Sequence, residues 1–278
     1  MQNKKIIIFG DSFADNTHWG RNTPKGNIHQ KQAQTIAWHE YLEKDYDITN
    51  HGKSGTGPHY SFKEYYNFIS DNEIRKEDYI LIFLLSGEDR IHFPNIGPED
   101  MNHVCWDFDK KKSLWVECES AGEQKAYYNF YRNEIDFMFL TMHDELIWSN
   151  FKNLGFLYMN SLLLNMKTIV FNTFGIKGLS DMGLNIAKLN NPNFYIYPIE
   201  LGKIAHEEFI DRHHDPEGYD YTDHRRNHFS QENHTILYEN MKKFIKNDYN
   251  PIPFVKNIDY SYNFGKKRDT KTGKFIYE

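Results

Sequence analysis

A serine hydroxyl becomes a useful nucleophile only when a base takes its proton, and two short stretches of this chain could supply that pair. Gly10-Asp11-Ser12 follows directly on the apolar run Ile6-Ile7-Ile8-Phe9. Ser12 therefore stands at the carboxyl end of a first strand, where an open α/β sheet exposes reactive side chains. Asn227-His228-Phe229-Ser230 precedes the last helical stretch, so His228 lies in a loop at an element boundary, from which an imidazole can reach another loop. An imidazole with a pKa near 6.5 suits proton transfer at neutral pH. The reaction implied is acyl transfer from an ester to Ser12, followed by hydrolysis. The backbone N–H groups of Ser12 and Gly52 are available to hold the tetrahedral oxyanion. Taken alone, Gly-Asp-Ser is equally a turn with a helix-capping serine.

Other motifs point to less. Gly52-Lys53-Ser54 has the end of a phosphate-binding loop, but that motif needs a glycine five residues before Gly52, and position 47 is Asp. His213-His214-Asp215, His224 and His228 could be taken for a metal cluster, although a His-rich polar loop is more often simply solvated. Cys105 and Cys118 match no zinc spacing and are too few for a disulfide framework, so a reducing compartment and no metal or other cofactor are expected.

The elements that must position these residues follow from periodicity. Ile6–Phe9, Asp47–Asn50, Tyr79–Leu85, Lys167–Asn172 and Phe194–Tyr197 read as strands, with Tyr79–Leu85 apolar throughout and therefore central. His51 to Gly57 holds three glycines and reads as a loop. Helices are expected around Ile36 to Leu42, over Tyr60–Ile69 and over Ile199–Phe209, and from Ser230 as N-cap to about Lys246. Tyr127–Met166 reads as two helices broken near His143 to Asn153. Strands alternating with helices predict a parallel α/β sheet. Residues 1–250 are expected to form one domain, with an insertion at about 95–122 carrying Trp106 and Trp115, and residues 251–278 a surface tail.

Composition excludes several classes of partner. The chain has 278 residues and a formal net charge of -6, so no basic surplus suggests nucleic acid as the main partner or an electrostatic hold on a membrane. Its longest apolar run, Tyr79–Leu85, has seven residues, against roughly 20 to span a bilayer. The apolar stretch after Met1 to Lys5 is too short for a signal peptide, and a cytoplasmic or virion-associated location is expected. Apolar residues make up 39% and aromatics 16% at a mean hydropathy of -0.75, so Phe and Tyr must carry much of the core. Such a polar surface suits small molecules or glycans. Lys outnumbers Arg 25 to 8 and Asn outnumbers Ala 27 to 7, a bias expected of an AT-rich genome such as a virus or phage.

Gly10-Asp11-Ser12-Phe13-Ala14, Asn50-His51-Gly52-Lys53-Ser54-Gly55 and the segment Asp223 to His234 together resemble the SGNH, or GDSL, hydrolases, in the family's order and over roughly residues 4 to 246. The resemblance implies a three-layer α/β/α sandwich with a flavodoxin-like parallel sheet, and a cofactor-free serine esterase acting on a small acyl ester such as O-acetylated carbohydrate. It implies Ser12 as nucleophile, Gly52 as oxyanion donor and His228 as base. Two departures are plain. Arg225 stands where the family has its triad acid, which leaves Asp223 as the nearest acid in that loop. Leu85-Ser86-Gly87-Glu88-Asp89-Arg90 puts Asp89 where the family has an Asn that serves the oxyanion. An ionised Asp89 would repel an oxyanion, and the adjacent Arg90 is the cation that could pair with it or reach the substrate. The alternative these departures raise is a non-catalytic glycan-binding or virion structural module that retains the fold.

Overall fold

Ile6–Phe9, Tyr79–Leu85 and Ile169–Phe171 are unbroken apolar runs, a pattern that is stable as strand only when both faces of the sheet are covered. The computed structural model describes residues 4–15, 36–53, 56–71, 79–86, 104–107, 110–115, 122–173, 191–197, 199–202, 204, 229 and 231–254. Its elements in chain order are β1 (Lys5–Gly10), α1 (Trp38–Leu42), β2 (Asp47–Gly52), α2 (Pro58–Asp71), β3 (Tyr79–Leu85), β4 (Val104–Asp107), β5 (Lys112–Trp115), α3 (Gly122–Phe130), α4 (Arg132–Leu163), β6 (Lys167–Asn172), β7 (Phe194–Ile196) and α5 (Gln231–Ile245).

Five of these strands form one parallel sheet in the order β2-β1-β3-β6-β7. The three apolar segments are its three inner strands, β1, β3 and β6. Alternation along β1 separates two cores. Ile6 and Ile8 pack with Trp38 and Leu42 of α1 and with Leu237, Met241 and Phe244 of α5. Ile7 and Phe9 face the other way, onto Phe62 and Tyr65 of α2 and Leu154 and Leu157 of α4. Helices thus cover both faces, giving the expected three-layer α/β/α sandwich. The chain moves from β1 outward to β2, then crosses back to place β3 on the other side of β1. That reversal makes the carboxyl ends of β1 and β3 the switch point, where open α/β sheets bind their ligands.

Lys167, at the start of β6, ties α5 to the sheet. Its buried ammonium donates to the carbonyls of Phe244 and Ile245 and, at 2.7 Å, to Asn247 Oδ1. A cation among the last carbonyls of a helix also opposes the negative end of its dipole.

Two sequence expectations need correcting. β2 continues through His51 and Gly52, which the glycine count assigned to a loop, because both residues pair in register with Phe9 and Gly10. The long helical stretch breaks at Tyr131, not within His143 to Asn153: α4 runs unbroken for 32 residues. Residues 143–153 contain polar side chains but no Gly or Pro, and Ser or Asn inside a helix costs only some tenths of a kcal/mol. The 95–122 insertion contains an antiparallel pair, β4 with β5, and Ser113 is held there by Asp136 and Tyr128. Past residue 250 the chain packs back on the domain: the Ile252 N–H donates to Asn240 Oδ1 at 2.6 Å and Phe254 packs on Phe229.

Candidate functional site

Beyond β1 the chain turns at once. The N–H groups of Ala14 and Asp15 both donate to the Asp11 carbonyl at 3.0 Å, and the Phe13 N–H donates to Asp11 Oδ1 at 3.0 Å. The aspartate therefore closes the turn with its own side chain, as short acidic residues do at a strand-to-helix junction. Its second oxygen accepts the Thr173 hydroxyl at 2.6 Å, and the Thr173 N–H is held by the Leu85 carbonyl at 2.9 Å. Asp11 is 1% exposed, so a carboxylate locked between β1, β3 and β6 fixes the position of Ser12 beside it.

Two further clamps hold the turn from the other side. Trp38 Nε1 donates to the Phe13 carbonyl at 2.8 Å, and Asn50 Nδ2 donates to the Ala14 carbonyl at 2.6 Å. Gly10 and Gly52 lie side by side in the β1–β2 register, and the turn packs directly on them. A Cβ at Gly52 would stand 2.5 Å from the Ala14 carbonyl carbon and 2.6 Å from its Cβ. Overpacking of that kind costs about 1–3 kcal/mol, so Gly52→Ala is expected to lower the urea midpoint by that much and to disturb Ser12 with it. An unchanged midpoint would show that the turn can move away freely. The Gly52 N–H already donates to Asn50 Oδ1 at 2.7 Å, so the glycine's evident role is close packing.

The other end of the sandwich comes back to this turn. Phe13 and Phe229 are both fully buried and their rings meet at 5.1 Å between centroids. Phe13 follows Ser12 in the chain, and Phe229 follows His228. Ser86 lies at the same end of the sheet: Gly10 registers with Leu84, and Ser12 and Ser86 each stand two residues further on. The Ser86 hydroxyl is buried and finds no hydrogen-bond partner among the described residues. His228, Asp223, Asp89 and Arg90 lie outside the described residues, as do His213, His214 and His224.

Two histidines to which the sequence reading gave no role are placed. His51 stacks on Phe9 at 5.3 Å on the α2 face of the sheet, with Nδ1 3.6 Å from Glu64 Oε2. Burial holds its pKa below the usual imidazole value, partly offset by the Glu64 charge. His39 of α1 is fully buried, and burial pushes it down to about 4 against a smaller upward pull from Asp15. Thr173 and Asn50 are the positioning residues that sequence reasoning passed over. Asn50 stood inside a quoted motif without a role, and Thr173 could have been found only by inspecting every strand's carboxyl end.

A scan against family models finds no match to this chain, and a search of curated proteins finds none either. The reading of the site therefore rests on its own geometry. Among the described residues no group of three or more His, Cys, Asp and Glu is placed to hold a metal ion, and no helix is long and apolar enough to cross a membrane.

Proposed function

We propose that the chain is a serine esterase of the SGNH type, with Ser12 as nucleophile and His228 as base. The observation that carries this reading is the buried Phe13–Phe229 contact at the switch point of the sheet. It joins the residue after the serine to the residue after the histidine, across more than 200 positions of sequence. In this reading His228 takes the Ser12 proton as Oγ attacks the ester carbonyl. The proton then passes to the departing alcohol, and water attacks the acyl-serine with the same histidine as base. Asp223 orients the imidazole and stabilises its charged form. The Ser12 N–H is the oxyanion donor relied on here, because the Gly52 N–H can serve only if Asn50 releases it. In the same reading Arg90 compensates the Asp89 carboxylate, which would otherwise repel the oxyanion. The substrate class is a small acyl ester, with O-acetylated carbohydrate favoured.

A fluorophosphonate probe tests this directly, since it reacts with a serine that has both a base and an oxyanion site. Mass mapping is expected to place a single adduct on Ser12, and hydrolysis of p-nitrophenyl acetate is expected to rise with pH through about 6.5, the ordinary imidazole value. An adduct on Ser54 or Ser86, or none on folded protein, counts against the assignment. So does a His228→Ala chain that keeps full activity.

A further inference from the structure

The longest helix carries an apolar row that the fold does not use. Ile135, Phe139, Leu154 and Leu157 of α4 are buried against the rest of the chain. On another side of the helix Phe137, Leu140, Trp148, Met159 and Leu162 are 67%, 57%, 58%, 47% and 47% exposed. At about 100° per residue these five fall within a sector of about 100°, a continuous stripe roughly 38 Å long. Phe151 belongs to the same stripe, and its ring meets that of Trp148 at 5.5 Å.

The stripe reads the same in both directions. Its apolar positions 137, 140, 148, 151, 159 and 162 are separated by 3, 8, 3, 8 and 3 residues, with Asp144 and Gly155 in the two gaps and opposite each other when the helix is reversed. Turned end over end about the midpoint between 149 and 150, Phe137 falls opposite Leu162, Leu140 opposite Met159, and Trp148 opposite Phe151. Such self-complementarity is what a two-fold symmetric contact between identical helices requires. We propose that α4 pairs antiparallel with α4 of a second copy of this chain in that register.

Three further observations favour a second copy as the occupant. Gly155 sits on the stripe in mid-helix, where glycine costs about 1 kcal/mol relative to alanine. Among the described residues a Cβ there would meet nothing within 4 Å, so none of them calls for a glycine, whereas close approach of another helix does. Glu145 and Lys152 are exposed on one flank of the stripe, and in the antiparallel arrangement Glu145 of one copy lies within about two residues of Lys152 of the other. The five exposed side chains present on the order of 500 Å² per copy, so pairing removes on the order of 1,000 Å² before any flanking residue is counted, enough for a specific interface.

Sedimentation equilibrium of the full chain from 1 to 100 µM, as rough limits chosen to span weak and tight dimers, is the test. A mass of twice 33.2 kDa is expected, with Trp148→Glu weakening association by at least about 100-fold while the far-ultraviolet dichroism is unchanged. Register is read by cysteine cross-linking with Cys105 and Cys118 replaced by serine. Leu140→Cys chains mixed with Met159→Cys chains are expected to form the mixed disulfide, and Leu140→Cys chains alone are not, since two copies of residue 140 stand about 28 Å apart in this register. A monomer at the highest concentration, a dimer indifferent to both Trp148→Glu and Met159→Lys, or cross-linking of Leu140→Cys to itself would overturn the proposal. A stripe covered instead by an unrelated protein would give the first of these results.

Discussion

Ser12→Ala is expected to lower turnover of an activated ester by at least about 10⁴-fold, a change in barrier of roughly 5.5 kcal/mol, while leaving the urea midpoint almost unmoved. The two halves of this expectation have separate causes. Catalysis falls because no other hydroxyl in the turn can take up the acyl group. Stability largely holds because groups of other residues fasten the turn: Asp11 accepts the Phe13 N–H, Thr173 donates to Asp11, and Trp38 and Asn50 hold the carbonyls of Phe13 and Ala14. Thr173→Val should do the reverse. It leaves a buried carboxylate oxygen without its donor and is expected to cost about 1–3 kcal/mol of stability, with activity lost only as the turn loosens. Initial rates and urea midpoints on the two variants check both. Retention of more than about a tenth of the parent rate in Ser12→Ala is incompatible with Ser12 as nucleophile.

The scaffold under this turn was legible because buried parallel strands advertise themselves. Tyr79–Leu85 is a continuous apolar run of strand length and Lys167–Asn172 has Ile169-Val170-Phe171 at its centre, and both stand as read. β2 was less legible at its end because Asn50, His51 and Gly52 are poor strand formers, held in place by the register with β1 and by what Asn50 does for its neighbours. β4 and β5 have four residues each, too short for a two-residue alternation to stand out from chance. The stop at Tyr131 has no Gly or Pro to announce it. At the site, the Gly-Asp-Ser motif located the nucleophile candidate, since its position depends only on β1. The clamps on it come from residues 38, 50, 173 and 229, and contacts at such separations are set by topology, which no local pattern encodes.

His39 is expected to make the protein acid-labile well above the range in which carboxylates titrate. The side chain is 0% exposed, and neither ring nitrogen has a hydrogen-bond partner among the described residues. A charged imidazole there would be desolvated without compensation, which is why burial pushes the folded-state pKa down to about 4 even with Asp15 pulling upward. In the unfolded chain the same group titrates near 6.5. Above about 6.5 the imidazole is neutral in both states and the full stability is present. Between about 6.5 and 4 the unfolded chain binds a proton that the folded chain refuses, so stability falls as pH falls. At 1.36 kcal/mol per unit, that window removes about 3 kcal/mol, a large share of a typical domain's margin. The loss should reach the site, because Trp38, the preceding residue of α1, holds the Phe13 carbonyl next to Ser12. Urea unfolding at pH 7 and at pH 4.5, as rough ends of the window, measures it. The parent chain should lose most of that 3 kcal/mol, and His39→Leu, which cannot take up a proton, should lose about 2 kcal/mol less over the same interval. Identical pH dependence in the two chains would mean that His39 is not the group responsible. This effect is separable from titration of a catalytic base, which lowers the rate reversibly near pH 6.5 in a protein whose unfolding midpoint His39→Leu has protected.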